Sequence, residues 1–135
     1  MSRRKAREIA VRVLFQMDLG RQTLEGAWPL AIEGEELSGS GLAFARELAE
    51  GAASHRAEVD QVLAAYAEGW KVSRMAGVDR NILRLAAYEI LFRPDIPVSA
   101  TINEAVELAK KYGSEESPKF VNGILGELAR RSGRA

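Results

Sequence analysis

Apolar residues recur at three- and four-residue intervals along most of this chain, and no stretch shows the two-residue alternation of a half-buried strand. The first stripe, Ala6, Ile9, Ala10, Val13, Leu14 and Met17, predicts a helix that runs to about Leu19 and ends at Gly20. A second helix is expected from about Trp28 to Glu36, with Pro29 either at its first position or breaking an earlier turn. After the connector Ser38-Gly39-Ser40-Gly41, the span from Leu42 to about Glu68 carries Phe44, Leu48, Ala52, Val59, Leu63 and Tyr66 at helical spacing. It reads as one helix or two, since Gly51 and Ser54 weaken its middle and Ser54 could cap a new start. Gly69 and Trp70 begin a turn, Met75 and Ala76 a short helical segment, and Asp79 is placed to cap a helix from Arg80 to about Phe92. That helix is apolar over most of its circumference, as expected of one that others pack around, and Pro94 and Pro97 end it.

The last third, from Thr101 to Leu128, reads as a helical hairpin. Thr101 and Glu104 have capping-box spacing, and Ala105, Leu108, Ala109 and Tyr112 share one face. Lys110 and Lys111 suit the last turn, and Gly113 could close it in a left-handed conformation. Ser117 and Pro118 fit an N-cap and first helical position, followed by the stripe Val121, Ile124, Leu125 and Leu128. Gly123 and Gly126 inside that helix point to close backbone approach. The expected fold is therefore all-α, with six or seven helices in one domain.

Composition changes this picture mainly through what it excludes. There is no cysteine, one histidine (His55), no Gly-rich phosphate loop and no strand to carry one, so no enzyme constellation, metal or cofactor is expected. No apolar run approaches a membrane span, and the N-terminus lacks a signal-peptide pattern, so the expected location is cytoplasmic.

Charge is zero overall but unevenly placed. Residues 1–14 hold five basic residues against Glu8; residues 15–69 hold three basic against ten acidic; residues 70–135 hold eleven basic against eight acidic. Binding to a polyanion would then use local patches. Arg3, Arg4, Lys5, Arg7 and Arg12 lie on the first helix with Phe15 off its apolar stripe, and Lys119 and Phe120 form a second cation–aromatic pair. Cations neutralise phosphates and aromatic rings stack bases, so both sets are candidates for RNA. Cations in a first helical turn oppose the helix dipole, a cost that points to a use. Glu115 and Glu116 beside Lys119 would oppose phosphate and limit non-specific affinity. The plain alternatives are a solvated helix end and an aromatic ring packed on a neighbouring helix.

The blocks INEAVELAKKYG (Ile102 to Gly113) and SPKFVNGIL (Ser117 to Leu125) resemble the C-terminal signature of the NusB family of bacterial transcription antitermination factors. RRKAREIAVRVLFQMD (Arg3 to Asp18) and DRNILRLAAYEIL (Asp79 to Leu91), with DIPVSATINEA after it, match in the same order; together they cover about half the chain. The resemblance implies an all-helical protein with subdomains of about 1–68 and 69–135 that pairs with NusE, a small-subunit ribosomal protein. It further implies binding to boxA RNA within a transcription elongation complex, supporting transcription of ribosomal RNA operons.

By motif position, Arg3, Arg4, Lys5 and Arg7 match the family's arginine-rich RNA-binding segment, Phe15 an aromatic beside it, and Lys119 and Phe120 its C-terminal RNA-side pair. Asp79 matches an acidic residue at the NusE interface, and Arg80, Arg84 and Tyr88, four apart on the same helix, extend that interface. Some members form homodimers. Two other readings stand beside this one: a helical protein-interaction module, and the detached N-terminal domain of a ribosomal RNA cytosine methyltransferase.

Overall fold

A computed structural model describes residues 3–134 apart from Glu68 and Trp70. Its elements in chain order are α1 (Arg3–Asp18), α2 (Leu24–Ile32), α3 (Ser40–Ser54), α4 (Arg56–Tyr66), a 3-10 turn (Val72–Arg74), α5 (Gly77–Phe92), α6 (Val98–Tyr112) and α7 (Ser117–Arg131). The all-helical class expected from periodicity is the one observed. Helix α5 packs against α1, α3, α4, α6 and α7, so every residue from Asp79 to Ile90 is buried. The core is continuous across both halves of the chain, from Ile9, Val13 and Leu48 through Ile82, Leu83 and Ile90 to Leu125 and Leu128. Among the described residues no helix is long and apolar enough to cross a membrane.

Several boundaries differ from the sequence reading. Helix α2 starts earlier: Thr23 caps it by accepting from the Gly26 amide at 3.1 Å, and Pro29 lies inside the helix. The span from Leu42 is two helices, broken at His55, whose ring lies 4.0 Å (centroid to centroid) from Phe92 and whose Nδ1 is 2.9 Å from the Gly51 carbonyl. The short helical segment is Val72–Arg74, just before the expected Met75 and Ala76, and the Trp70 part of the preceding turn lies outside the described residues.

Asp79 is no N-cap, because α5 begins at Gly77; Asp79 sits in the first turn, where a carboxylate complements the helix dipole. Thr101 and Glu104 form no capping box. Helix α6 starts at Val98 behind Pro97, so Thr101 is interior and donates its hydroxyl to Glu89 Oε1 at 2.7 Å.

Helix α7 starts at Ser117, one residue early, and the Ser117 hydroxyl accepts from the Ser114 amide at 2.9 Å. The close approaches are also at other glycines than expected. A Cβ at Gly123 would meet nothing within 4 Å and one at Gly126 only Arg130 Nη1, whereas at Gly51 it would meet the Tyr88 hydroxyl at 2.0 Å. Gly113 is extended rather than left-handed, and what it supplies is room: a Cβ there would lie 2.4 Å from Ser117 Oγ.

Candidate nucleic-acid interface

The basic residues of α1 divide by depth. Arg3 is exposed with its guanidinium 4.3 Å from the Phe44 ring centroid, and Arg4 is exposed and grips Glu104 of α6 through two hydrogen bonds of 2.7 and 3.1 Å. Lys5 approaches Glu8 at 2.9 Å and Glu35 at 3.6 Å. Arg7 is only 4% exposed and makes two hydrogen bonds, of 2.9 and 2.8 Å, to Glu89 of α5. Its expected place among the phosphate contacts is therefore corrected. A guanidinium enclosed with a carboxylate cannot leave it for a phosphate without stranding a buried charge.

Helix α6 completes the patch. Lys111 and Lys110 in its last turn come beside α1, where Lys111 Nζ reaches Glu8 Oε1 at 2.7 Å, and Arg4, Glu8, Glu107, Lys110 and Lys111 line one shallow depression. Burial acts to raise the Glu8 carboxyl, but Lys111 and Lys5 outweigh it and hold Glu8 below the usual carboxylate range. Arg12 bonds Glu35 and the Ala31 carbonyl, tying α1 to α2.

Two clefts adjoin at the first turn of α5, since consecutive residues line them. Val78 faces the first, of ≈ 240 Å³, with Phe15, Val11, Leu30 and Tyr112. Asp79 faces the second, of ≈ 480 Å³, with Met75, Ser114, Glu116, Lys119 and Phe120. The structure thus brings Lys119 and Phe120 together with Asp79, although the sequence reading assigns them to different partners. Asp79 is 9% exposed, and among the described residues its Oδ1 has no hydrogen-bond partner.

The extension along α5 is corrected as well. Arg80 donates to Asp18 at 2.7 Å and to the carbonyls of Val72, Ser73 and Met75, while Arg84 donates to Asp60 at 2.8 and 2.9 Å and to Asp18 at 2.9 Å. Tyr88 is buried against Gly51 of α3 and His55. Their spacing of four does mark one face, but α5 is enclosed, so that face meets other helices rather than a partner. Burial acts to raise the Asp18 carboxyl; Arg80, Asn81 and Arg84 prevail and hold it below the usual range.

Sequence reasoning misses Tyr112 and the Lys110–Lys111 pair as site residues. Periodicity assigns Tyr112 to the buried face of α6, yet it is 41% exposed, because that face runs off the core in the last turn. The usable signal is two adjacent lysines beside an aromatic residue at a helix end.

Comparison with known proteins bears on the whole chain. The sequence profile of the NusB family matches residues 4–130. Transcription antitermination protein NusB of Heliobacterium modesticaldum is 54% identical over 96% of this chain, which spans 63% of that protein's length. The protein of that name from Desulfitobacterium hafniense is 52% identical over 95% of this chain and 88% of its own length. A crystal structure of antitermination factors NusB and NusE in complex with dsRNA superposes with a TM-score of 0.88 at 28% identity, covering 96% of each chain. With its profile matched nearly end to end and its helices superposing on those of solved relatives, the chain belongs to the NusB family.

Proposed function

We propose that this chain is a non-catalytic adaptor in transcription antitermination that binds boxA-type RNA together with NusE and supports transcription of ribosomal RNA operons in the cytoplasm. The observation that carries the reading is the convergence of Arg4 from α1 with Lys110 and Lys111 from α6, with Lys5 sharing Glu8 with Lys111, next to the Phe15 cleft. Arg3 extends the patch at the start of α1. The Arg4–Glu104 and Lys110–Glu107 ion pairs lie at the surface, where they are weak and salt-screened, so phosphates can replace these glutamates as partners. In the superposing crystal structure a NusB protein is in complex with NusE and dsRNA, which supports the pairing of partners.

The neighbouring cleft has the opposite character. Asp79 and Glu116 outnumber Lys119 there, which suits a basic side chain of NusE, and Lys119 with Phe120 stands where the RNA and protein surfaces meet. A salt titration of binding to a boxA-like RNA and a scrambled control, with and without NusE, tests the reading. Tighter, sequence-dependent binding with NusE present is expected. Equal, weak binding to both RNAs in both conditions would overturn it.

A further inference from the structure

We infer that the cleft between α1, α2, α5 and α6 is a nucleobase pocket, in which Phe15 and Tyr112 hold one base unstacked from the bound RNA; this rests on the RNA-binding reading above. The size suits a single ring system. At ≈ 240 Å³ the cleft exceeds the roughly 150 Å³ of an engineered apolar cavity that takes up benzene, and falls below the roughly 300 Å³ at which pockets for drug-sized ligands begin.

The lining suits a base as well. Val11, Phe15, Leu30, Val78 and Tyr112 make it mainly apolar, while the Gln16 side-chain amide offers one donor and one acceptor group for a base edge. Tyr112 is among the few large hydrophobic residues left substantially exposed, and it stands at the end of a helix whose stripe is otherwise buried. Its ring lies 5.2 Å from Lys111 Nζ, and Arg12 is held above its ordinary range first by Glu35 and then by the Tyr112 hydroxyl. Tyr112 is therefore flanked by cations, and Arg12 lines the same cleft as Phe15.

Charge selects RNA over an apolar protein side chain as the occupant. Lys5, Arg12 and Lys111 border the cleft against Glu8 and Glu35, and the basic depression of Arg4, Lys110 and Lys111 continues from it through Glu8, which lines both. A strand whose phosphates follow that depression can place a base in the cleft, where stacking on aromatic rings is tolerant of sequence and the amide supplies any preference. An apolar side chain of a protein would gain nothing from these cations.

The test uses the full-length protein as parent, Tyr112→Ala and Tyr112→Phe, with and without NusE. The probe is a boxA-like RNA in which each nucleotide in turn is replaced by an abasic one. For the parent, one abasic position should lower affinity by about tenfold, within the range that stacking of one base commands. Tyr112→Ala should weaken intact RNA about as much and be indifferent to that abasic position, while Tyr112→Phe should behave as the parent. Thermal melting checks that the variants fold.

If the parent binds RNA but no abasic position is non-additive with Tyr112→Ala, the pocket is overturned and the adaptor reading stands. Weakened NusE binding at unchanged RNA affinity would assign the cleft to protein and overturn it too. A parent that binds none of the RNAs would overturn both readings.

Discussion

Arg4 and Arg7 stand one turn apart on α1, and each holds a glutamate through two hydrogen bonds, Arg4 at the surface and Arg7 in the core. The chemistry is the same and the consequence opposite. In water the Arg4–Glu104 pair is close to balanced against solvation, so a phosphate can replace the carboxylate at little cost. Enclosed between α1, α5 and α6, the Arg7–Glu89 pair has lost that alternative, and it braces three helices because Thr101 also donates to Glu89. Arg80 and Arg84 repeat the buried form against Asp18 and Asp60, tying α5 to the end of α1 and to α4. Depth, more than residue type, separates the arginines that hold the fold from those that can hold a ligand.

The largest expected effect breaks the buried side of this comparison. Glu89→Ala leaves Arg7 charged and unpaired in the core and should lower stability by about 3–5 kcal/mol in urea unfolding. The double variant Arg7→Met with Glu89→Leu should recover most of that loss, because two apolar groups replace two buried charges. A loss below about 1 kcal/mol for Glu89→Ala would show that the pair is no brace.

Acid should unpick the buried side next. Asp18 and Glu8 are held below their ordinary values of 3.8 and 4.5 in the folded state, so the unfolded chain takes up their protons first as pH falls. Their contribution is fully present above those values and is lost as pH drops through the lower folded-state ones. Asp18→Asn should be less stable than the parent at pH 7 and lose less stability between about pH 5 and pH 3. Equal slopes for the two proteins would remove Asp18 as a source of acid sensitivity.

On the surface side, Arg4→Ala with Lys110→Ala should leave the melting temperature essentially unchanged while lowering RNA affinity about tenfold. Loss of two phosphate contacts should reduce the slope of log affinity against log salt by about 1.4. Lys119→Ala should give the smallest effect, about threefold, with the slope falling by about 0.7 and boxA preference retained. A melting temperature that falls in step with affinity in either variant would place those cations with the buried set.

Phase along α1 already carried part of this distinction. Arg7 lies two turns before Leu14 on the same line, at the border of the apolar stripe, whereas Arg4 lies outside it. What phase could not reveal is Glu89, 82 residues away, which turns a border position into an enclosed one. The Arg80, Arg84 and Tyr88 strip failed as an interface for a related reason. Helix α5 was legible as the helix others surround, and that property leaves no outward face near its middle.

Local rules decided where the chain is helical, because the apolar period, prolines and glycines act over a few residues and are written in order. They placed six or seven helices and most of the core, leaving open whether the span from Leu42 is one helix or two, and they marked Arg4, Lys5, Phe15, Lys119 and Phe120 as chemically able residues. Tertiary packing decided which of the able residues remain available. It buried Arg7, set Lys111 beside Glu8, left Tyr112 open next to Phe15, and joined Asp79 to Lys119 and Phe120 in one cleft. Each of these is a meeting of segments far apart in the chain, and burial and charge pairing at such meetings depend on how helices cross rather than on where each begins and ends.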